Sequence, residues 1–397
     1  MDTHALHINP NIHHSDMSQY RRQFRAWRKT QRLKRELDRY HSLFKAKRLA
    51  VPDEAAIRQA MKSKYPAITQ KPTGSLKILA IYHHYNWENE SLKPALKKFG
   101  SIRHYDWAEK FDHRNQKKWL RSVREIMNQD LVEWVKTWAL EDNIDVIFTY
   151  LTGEMVSPET VKKLSLLGIP MINICLNDKE AFVGKIRHGQ ALGSRDICRY
   201  FDLSWTSTSD ALEKYCVEGA RPIYLPEGAN PEIHKPYDLL KTIDVSFVGQ
   251  CYGSRPEIIE NIRRQGIDVE AYGYGWPNGP LSIKEMVRTY SRSKINLGFS
   301  GVDGYNGVYC LKGRDFEIPI SGGLYLTEYH SELEGCYDLE KEIVTYYSLD
   351  DLVEKIQFLL SHPKEAEKIR KSGLQRARTE HTWEMRFEKV FGLIGLI

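Results

Sequence analysis

No stretch of 18 apolar residues occurs in this 397-residue chain, so no membrane-spanning helix is expected. The first residues, Met1 to Gln19, are polar and His-rich and lack the apolar core of a secretory leader. A C-x-x-C pair is absent as well: Cys175, Cys198, Cys216, Cys251, Cys310 and Cys336 stand apart, several inside apolar runs. They read as free thiols in a reducing cytosol, which places the protein in the cytoplasm. His13-His14 and His83-His84 are adjacent pairs, a spacing that does not put two ligands on one face, so no metal site is expected. With 41% hydrophobic residues the chain is too apolar for a disordered one, and its length suits two or three domains.

The formal net charge of +6 is unevenly spread. Ser15 to Arg48 holds 12 Lys/Arg against Asp16, Glu36 and Asp38, and the rest has 46 bases and 49 acids. The body is thus slightly acidic, and a nucleic-acid partner is not expected. Within the basic segment, Tyr20, Phe24, Trp27, Leu33, Leu37, Tyr40 and Phe44 recur at steps near 3.5, which predicts an amphipathic helix. Three covers are open to its apolar stripe: the body of the protein, a second copy in a homodimer, or peripheral contact of residues 15–48 with the inner face of an anionic membrane.

After a Pro/Gly linker at 65–75, short apolar runs alternate with helical periods. Strands are expected at 76–82, 102–107, 144–150, 170–176, 202–206 and 222–225. A turn-rich stretch, Pro226 to Pro231 with Lys235-Pro236, interrupts them. The rhythm restarts at 244–250, 269–272, 295–300, 324–327 and 343–346. Such alternation predicts parallel sheets covered by helices in two Rossmann-like α/β domains facing across a cleft. The domain reading is 1–75 for the helical extension and linker, 76–230 and 231–382 for the two domains, and 383–397 for a terminal helix, with a return to the first domain as one course for it.

One segment, Leu311 to Gly323, carries the most chemistry. Lys312 and Arg314 precede an expected helix start, where free backbone N–H groups favour an anion such as phosphate. Glu317 could accept hydrogen bonds from vicinal sugar hydroxyls. A solvated basic turn with a surface carboxylate would have the same residues. No D-x-D sequence, a metal–diphosphate signature, occurs.

This segment resembles the donor-site motif of GT-B glycosyltransferases, in particular the family 4-like, CgeB-like group (glycosyl transferases group 1), in which R-x-F-E-x-x-A-x-G-G precedes a strand. Tyr200–Thr208 is similar to the family's last strand of the first domain, and Leu225–Pro236 to its interdomain signature. Val245–Gln250 with Arg255 resembles its first donor-domain strand, and Glu380–Arg386 the start of its terminal helix. Together these span about 76–397.

The resemblance implies transfer of a sugar from a nucleotide-sugar donor to a hydroxyl of a glycan, lipid-linked or protein acceptor, in glycan or glycoconjugate synthesis. A sugar-nucleotide epimerase or hydrolase on the same scaffold, or a non-catalytic nucleotide-sugar-binding protein, are the alternatives. No cofactor or metal is implied. Glu317 would bind the donor ribose. Arg255, Lys312 and Arg314 would face the pyrophosphate, with Gly322 in the same motif. The loop containing Tyr272, Gly273 and Trp276 would lie at the base, unless Trp276 merely anchors a glycine-rich turn. Asp178, after the strand at 170–176, is the first candidate for the catalytic carboxylate, a helix cap being its other reading. His84 is the second catalytic candidate. One departure stands out: the family's E-x7-E pattern would put a glutamate where this chain has Tyr309.

Overall fold

A computed structural model describes residues 10–85 and 87–397, with side chains from residue 21 onward. The side chains of His13, His14 and Tyr20, all singled out above, lie outside the described part of the structure. The chain opens with α1 (Pro10–Ala46) and α2 (Glu54–Lys64). The Asp53 carboxylate caps α2 by accepting from the Ala56 amide at 2.8 Å.

The first domain is built on β1 (Leu76–Ile81), β2 (Gly100–Tyr105), β3 (Val146–Thr149), β4 (Met171–Cys175), β5 (Leu203–Thr206) and β6 (Pro222–Tyr224). These pair in parallel in the order β2-β1-β3-β4-β5-β6. β3, β4 and β5 are buried at every residue, as strands covered on both faces should be. The second domain repeats the plan with β7 (Ile243–Val248), β8 (Val269–Tyr272), β9 (Ser293–Leu297), β10 (Tyr325–Glu328) and β11 (Val344–Tyr346), ordered β8-β7-β9-β10-β11. Helices α3 (Arg255–Arg264), α4 (Arg314–Ile320) and α5 (Pro363–Glu380) follow in that domain. In both sheets the winding reverses between the first and third strands, so each domain has a crevice there at the strands' C-terminal ends.

The last helix, α6 (Trp383–Leu393), buries Trp383, Phe387, Val390 and Phe391 in the core of the first domain beside Phe148 and Trp205. The chain therefore crosses between domains twice, at 225–231 and at 380–383. The crossings lie side by side: Ala229 and Thr382 form a β-bridge, and a side chain at Gly228 would meet Trp383 N at 2.5 Å. Arg386 clamps both, donating to the carbonyls of Pro226 at 3.1 Å and Glu380 at 2.7 Å.

From Thr30 onward α1 packs on the first domain. Tyr40 Oη donates to Glu218 at 2.7 Å, and the buried Lys214 ammonium meets Glu36 at 2.8 Å. Thr30 Oγ1 also accepts from the Asn306 amide of the second domain at 2.8 Å. The body thus covers only the later part of the expected apolar stripe. Among the described residues no helix is long and apolar enough to cross a membrane.

Candidate active site

In the second domain, β7 ends at Val248 and runs into Gly249, in the crevice beside β9. Two guanidinium groups share the Phe247 ring there, Arg255 at 5.3 Å and Arg314 at 5.6 Å from its centroid. Arg255 also lies 4.0 Å from the Tyr252 ring. At Gly249 a side chain would sit 2.7 Å from Phe247 and 3.1 Å from Arg314 Nη1, so glycine leaves the backbone open beside the cations. Lys312 joins from the adjoining loop, its Nζ 2.9 Å from Cys310 Sγ.

Among the described residues, none of these three cations has a carboxylate within ion-pair distance (4.0 Å), though 32 ion pairs form elsewhere. Burial and the Arg314 charge push the Arg255 pKa down. Burial would do the same to Arg314, but Tyr325, Tyr290, Asp315 and Glu317 outweigh it and hold its pKa up. A cluster of like charges without a counter-ion is what a diphosphate would complete. The helix start adds little here, because α4 has only 7 residues and Gly313 makes no side-chain cap. An anion bound here would be held by the cations themselves.

Asp315 sets their geometry. It is buried, accepts from Tyr325 Oη at 2.5 Å and from the Lys312 amide at 2.6 Å, and its carbonyl takes Tyr337 Oη at 2.7 Å. Burial lifts its pKa to about 6. Glu317, one turn into α4, points back over Gly313, with its Oε1 3.7 Å from His234 Nε2. His234 Nδ1 accepts from the Asn230 amide at 3.3 Å, so its proton sits on Nε2, facing Glu317. A second carboxylate, Glu227 from the interdomain segment, closes on the same glycine. Burial and the Glu317 charge push Glu227 up to about 8.

The glycine-rich turn after β8 takes the second of its two readings, with Trp276 as an anchor. Gly273 has φ +129° and lies so close to Gly249 that a side chain would meet its carbonyl oxygen at 2.2 Å. Trp276 is buried and donates its indole N–H to Gly249 O at 2.8 Å, which makes it the anchor of the turn and leaves it no face for a base. Tyr272 turns to the sheet edge, where its hydroxyl bonds Glu270. The free aromatic of this loop is Tyr274, 70% exposed. Gly322 is also structural: at φ +70° it packs on Pro236, and its carbonyl accepts from Arg370 at 3.1 Å.

On the first-domain side, Asp178 is fully buried and accepts from Tyr215 Oη at 2.8 Å, and burial raises its pKa to about 7. It faces the core beneath the loop, away from the cleft. Glu180, two residues on, faces the second domain: Lys312 acts on its charge, and it acts in turn on Cys310 and Tyr305. Its pKa is raised by burial. His84 is engaged locally, its Nδ1 accepting from the Asn89 amide at 3.3 Å. His83 is the histidine oriented by a carboxylate, Nδ1 lying 2.8 Å from Asp106 at the end of β2. It opens on a cavity of about 490 Å³ lined by residues 108–114, apart from the cations.

Glu332 spans the cleft. It pairs with Lys179 at 2.9 Å and accepts from Thr208 Oγ1 at 2.8 Å, both in the first domain. Beside it His330 is buried with neither ring nitrogen hydrogen-bonded, and burial together with Lys179 and Lys312 takes its pKa down to about 3. Tyr309 lies over His330, with ring centroids 6.5 Å apart.

The structure therefore brings together Arg255, Lys312, Arg314 and Glu317, and leaves Asp178, His84, Tyr272, Trp276 and Gly322 outside that group. Glu227, Glu180 and His330 are additions. The resemblance offered a weak signal for Glu180, an acid in the loop after β4, and none for the other two.

Residues 255–392 match the family model described as glycosyl transferase-like, a span that contains Arg255, Lys312 and Arg314. Among solved structures, the chain is similar to sucrose-phosphate synthase from Thermosynechococcus elongatus (11% identity, 80% of this chain and 98% of that one, TM-score 0.59). It is similar to a glycosyltransferase from Rickettsia africae (11%, 81% and 98%, TM-score 0.55) and to HepE from Anabaena in complex with UDP and glucose (8%, 80% and 100%, TM-score 0.54). No curated protein matches the chain. Such identities establish the fold, which is GT-B. The fold agrees with the one the motifs implied, and the second domain carries a glycosyl transferase-like match.

Proposed function

We propose that the protein transfers a hexosyl or pentosyl group from a nucleoside-diphosphate sugar to an acceptor hydroxyl in glycan or glycoconjugate synthesis. The observation that carries this reading is the cluster of Arg255, Lys312 and Arg314, without carboxylate partners, at the crevice of the second sheet. When the bond from sugar carbon to phosphate oxygen breaks, the nucleoside diphosphate leaves with the electron pair, and these cations stabilise its charge. Glu317 meets the ribose hydroxyls. Glu180 faces the acceptor and takes the hydroxyl proton, and its raised pKa suits it to that role better than an ordinary surface carboxylate. No metal is required for leaving-group departure in this reading.

HepE, solved with UDP and glucose, makes UDP the first diphosphate to try. A nucleotide-sugar panel read by thermal shift, followed by turnover on the best donor, tests the proposal. Stabilisation by a nucleoside diphosphate, lost in Arg314→Ala and Glu317→Ala with the fold retained, is expected. Full activity of both variants, or no stabilisation by any diphosphate, would sink it.

A further inference from the structure

The stripe of α1 is two stripes. At about 100° per residue, the six-residue step from Trp27 to Leu33 falls about 120° short of two full turns. Leu33 and Tyr40 are buried against the body, whereas Phe24 and Trp27 turn to solvent, 58% and 50% exposed. They stack on each other, with ring centroids 5.8 Å apart. Residues 21–29 carry five cations and no acid, and Arg21, Arg25 and Arg28 are all exposed beside the aromatic pair.

We propose that this projecting part of α1 docks on an anionic lipid surface, with Phe24 and Trp27 entering the headgroup region and the arginines meeting the lipid phosphates and carboxylates. A soluble polyanion would satisfy the arginines but offer nothing apolar to the stacked rings. A second copy of the helix could cover the rings, but it would bring five more cations against these five. The docking point lies beside the cleft. Thr30 and Lys29, next in the helix, touch Asn306 and Tyr305, in the loop that leads into the segment holding Lys312 and Arg314. A surface bound there would present an acceptor carried on it to the space between the domains.

The full-length protein should co-sediment with vesicles of phosphatidylcholine mixed with phosphatidylserine, and not with phosphatidylcholine alone. Phe24→Ala with Trp27→Ala, and separately Arg21→Glu with Arg25→Glu and Arg28→Glu, should each lower the bound fraction at least ~10-fold. Far-UV circular dichroism of both variants should match the parent, because all five side chains are exposed. The proposal is overturned if neither vesicle type binds, or if both variants sediment like the parent. Heparin binding unaffected by loss of the two rings, in a protein that ignores vesicles, would also overturn it. So would a dimer in analytical ultracentrifugation that the ring variant abolishes.

Discussion

The carboxylates of Glu227 and Glu317 meet over Gly313, their oxygens 3.4 and 3.3 Å from where its side chain would begin. One arrives on the interdomain segment and the other on α4. Only with the domains in place do they become neighbours, and Glu227 responds by keeping its proton up to about pH 8.

That pairing has a pH signature. The folded-state pKa of Glu227, about 8, lies above the unfolded value, so the folded protein holds the extra proton. The resulting stability is present in full below the ordinary glutamate pKa and is lost as pH rises to about 8. Asp178, at about 7, and Asp315, at about 6, add contributions of the same sign. Thermal melts should therefore fall from pH 5 to pH 8.5, and Glu227→Gln should flatten the fall, melting roughly 3 °C or more above the parent at the alkaline end. Parallel curves for the two proteins would refute the assignment.

For the cations, Arg255→Ala and Arg314→Ala should each weaken nucleoside-diphosphate binding by roughly 10- to 100-fold, the range for loss of a charge-assisted hydrogen bond. Calorimetric titration with UDP would read this. The ligand-free Arg255→Ala variant should melt no lower than the parent, since burial and the Arg314 charge both disfavour that cation.

Glu180 and Asp178 can be told apart. Glu180→Gln should cut turnover at least ~100-fold while diphosphate affinity stays within about twofold, as for loss of a general base. Asp178→Asn replaces a buried carboxyl that already holds its proton about half the time at neutral pH, and activity should stay near that of the parent. The reverse outcome would restore Asp178 to the acceptor side.

Glu332 and Lys179 are 9% and 13% exposed in their side chains, so this ion pair is largely desolvated. Glu332→Ala alone leaves Lys179 only the more exposed Asp210, 3.4 Å away, and should cost about 2 kcal/mol. The double variant Lys179→Met, Glu332→Leu should recover most of that stability in urea melts. Because Glu332 also holds Thr208 across the cleft, the double variant should still show a raised KM for the donor. A double variant as unstable as the single one would mean that the pair has no coupling of its own.

Trp383→Ala removes a buried indole stacked 5.2 Å from Trp87 and should destabilise the first domain by about 3–5 kcal/mol. Limited proteolysis should then open residues 76–224 before the second domain, although the substitution lies at the far end of the chain.

All eleven strands of the two parallel sheets were legible, the central ones as apolar runs, because a strand buried on both faces must be apolar whatever packs on it. Arg255, Lys312, Arg314 and Glu317 were legible for a related reason. They stand at the ends of such strands and helices, where local order already brings them to the crevice. The periodicity of α1 also holds the step at Trp27 that turns its aromatic pair outward, although spacing near 3.5 disguised it as one stripe. Packing alone settled the rest. Whether Asp178 or Glu180 faces the cleft depends on which one Tyr215 draws into the core, a contact 37 residues away in the chain. Glu227 becomes acidic-site chemistry only because α6 returns to the first domain and pins the segment that carries it. Such choices depend on long-range burial, and burial is a property of the assembled fold that no local pattern of residues encodes.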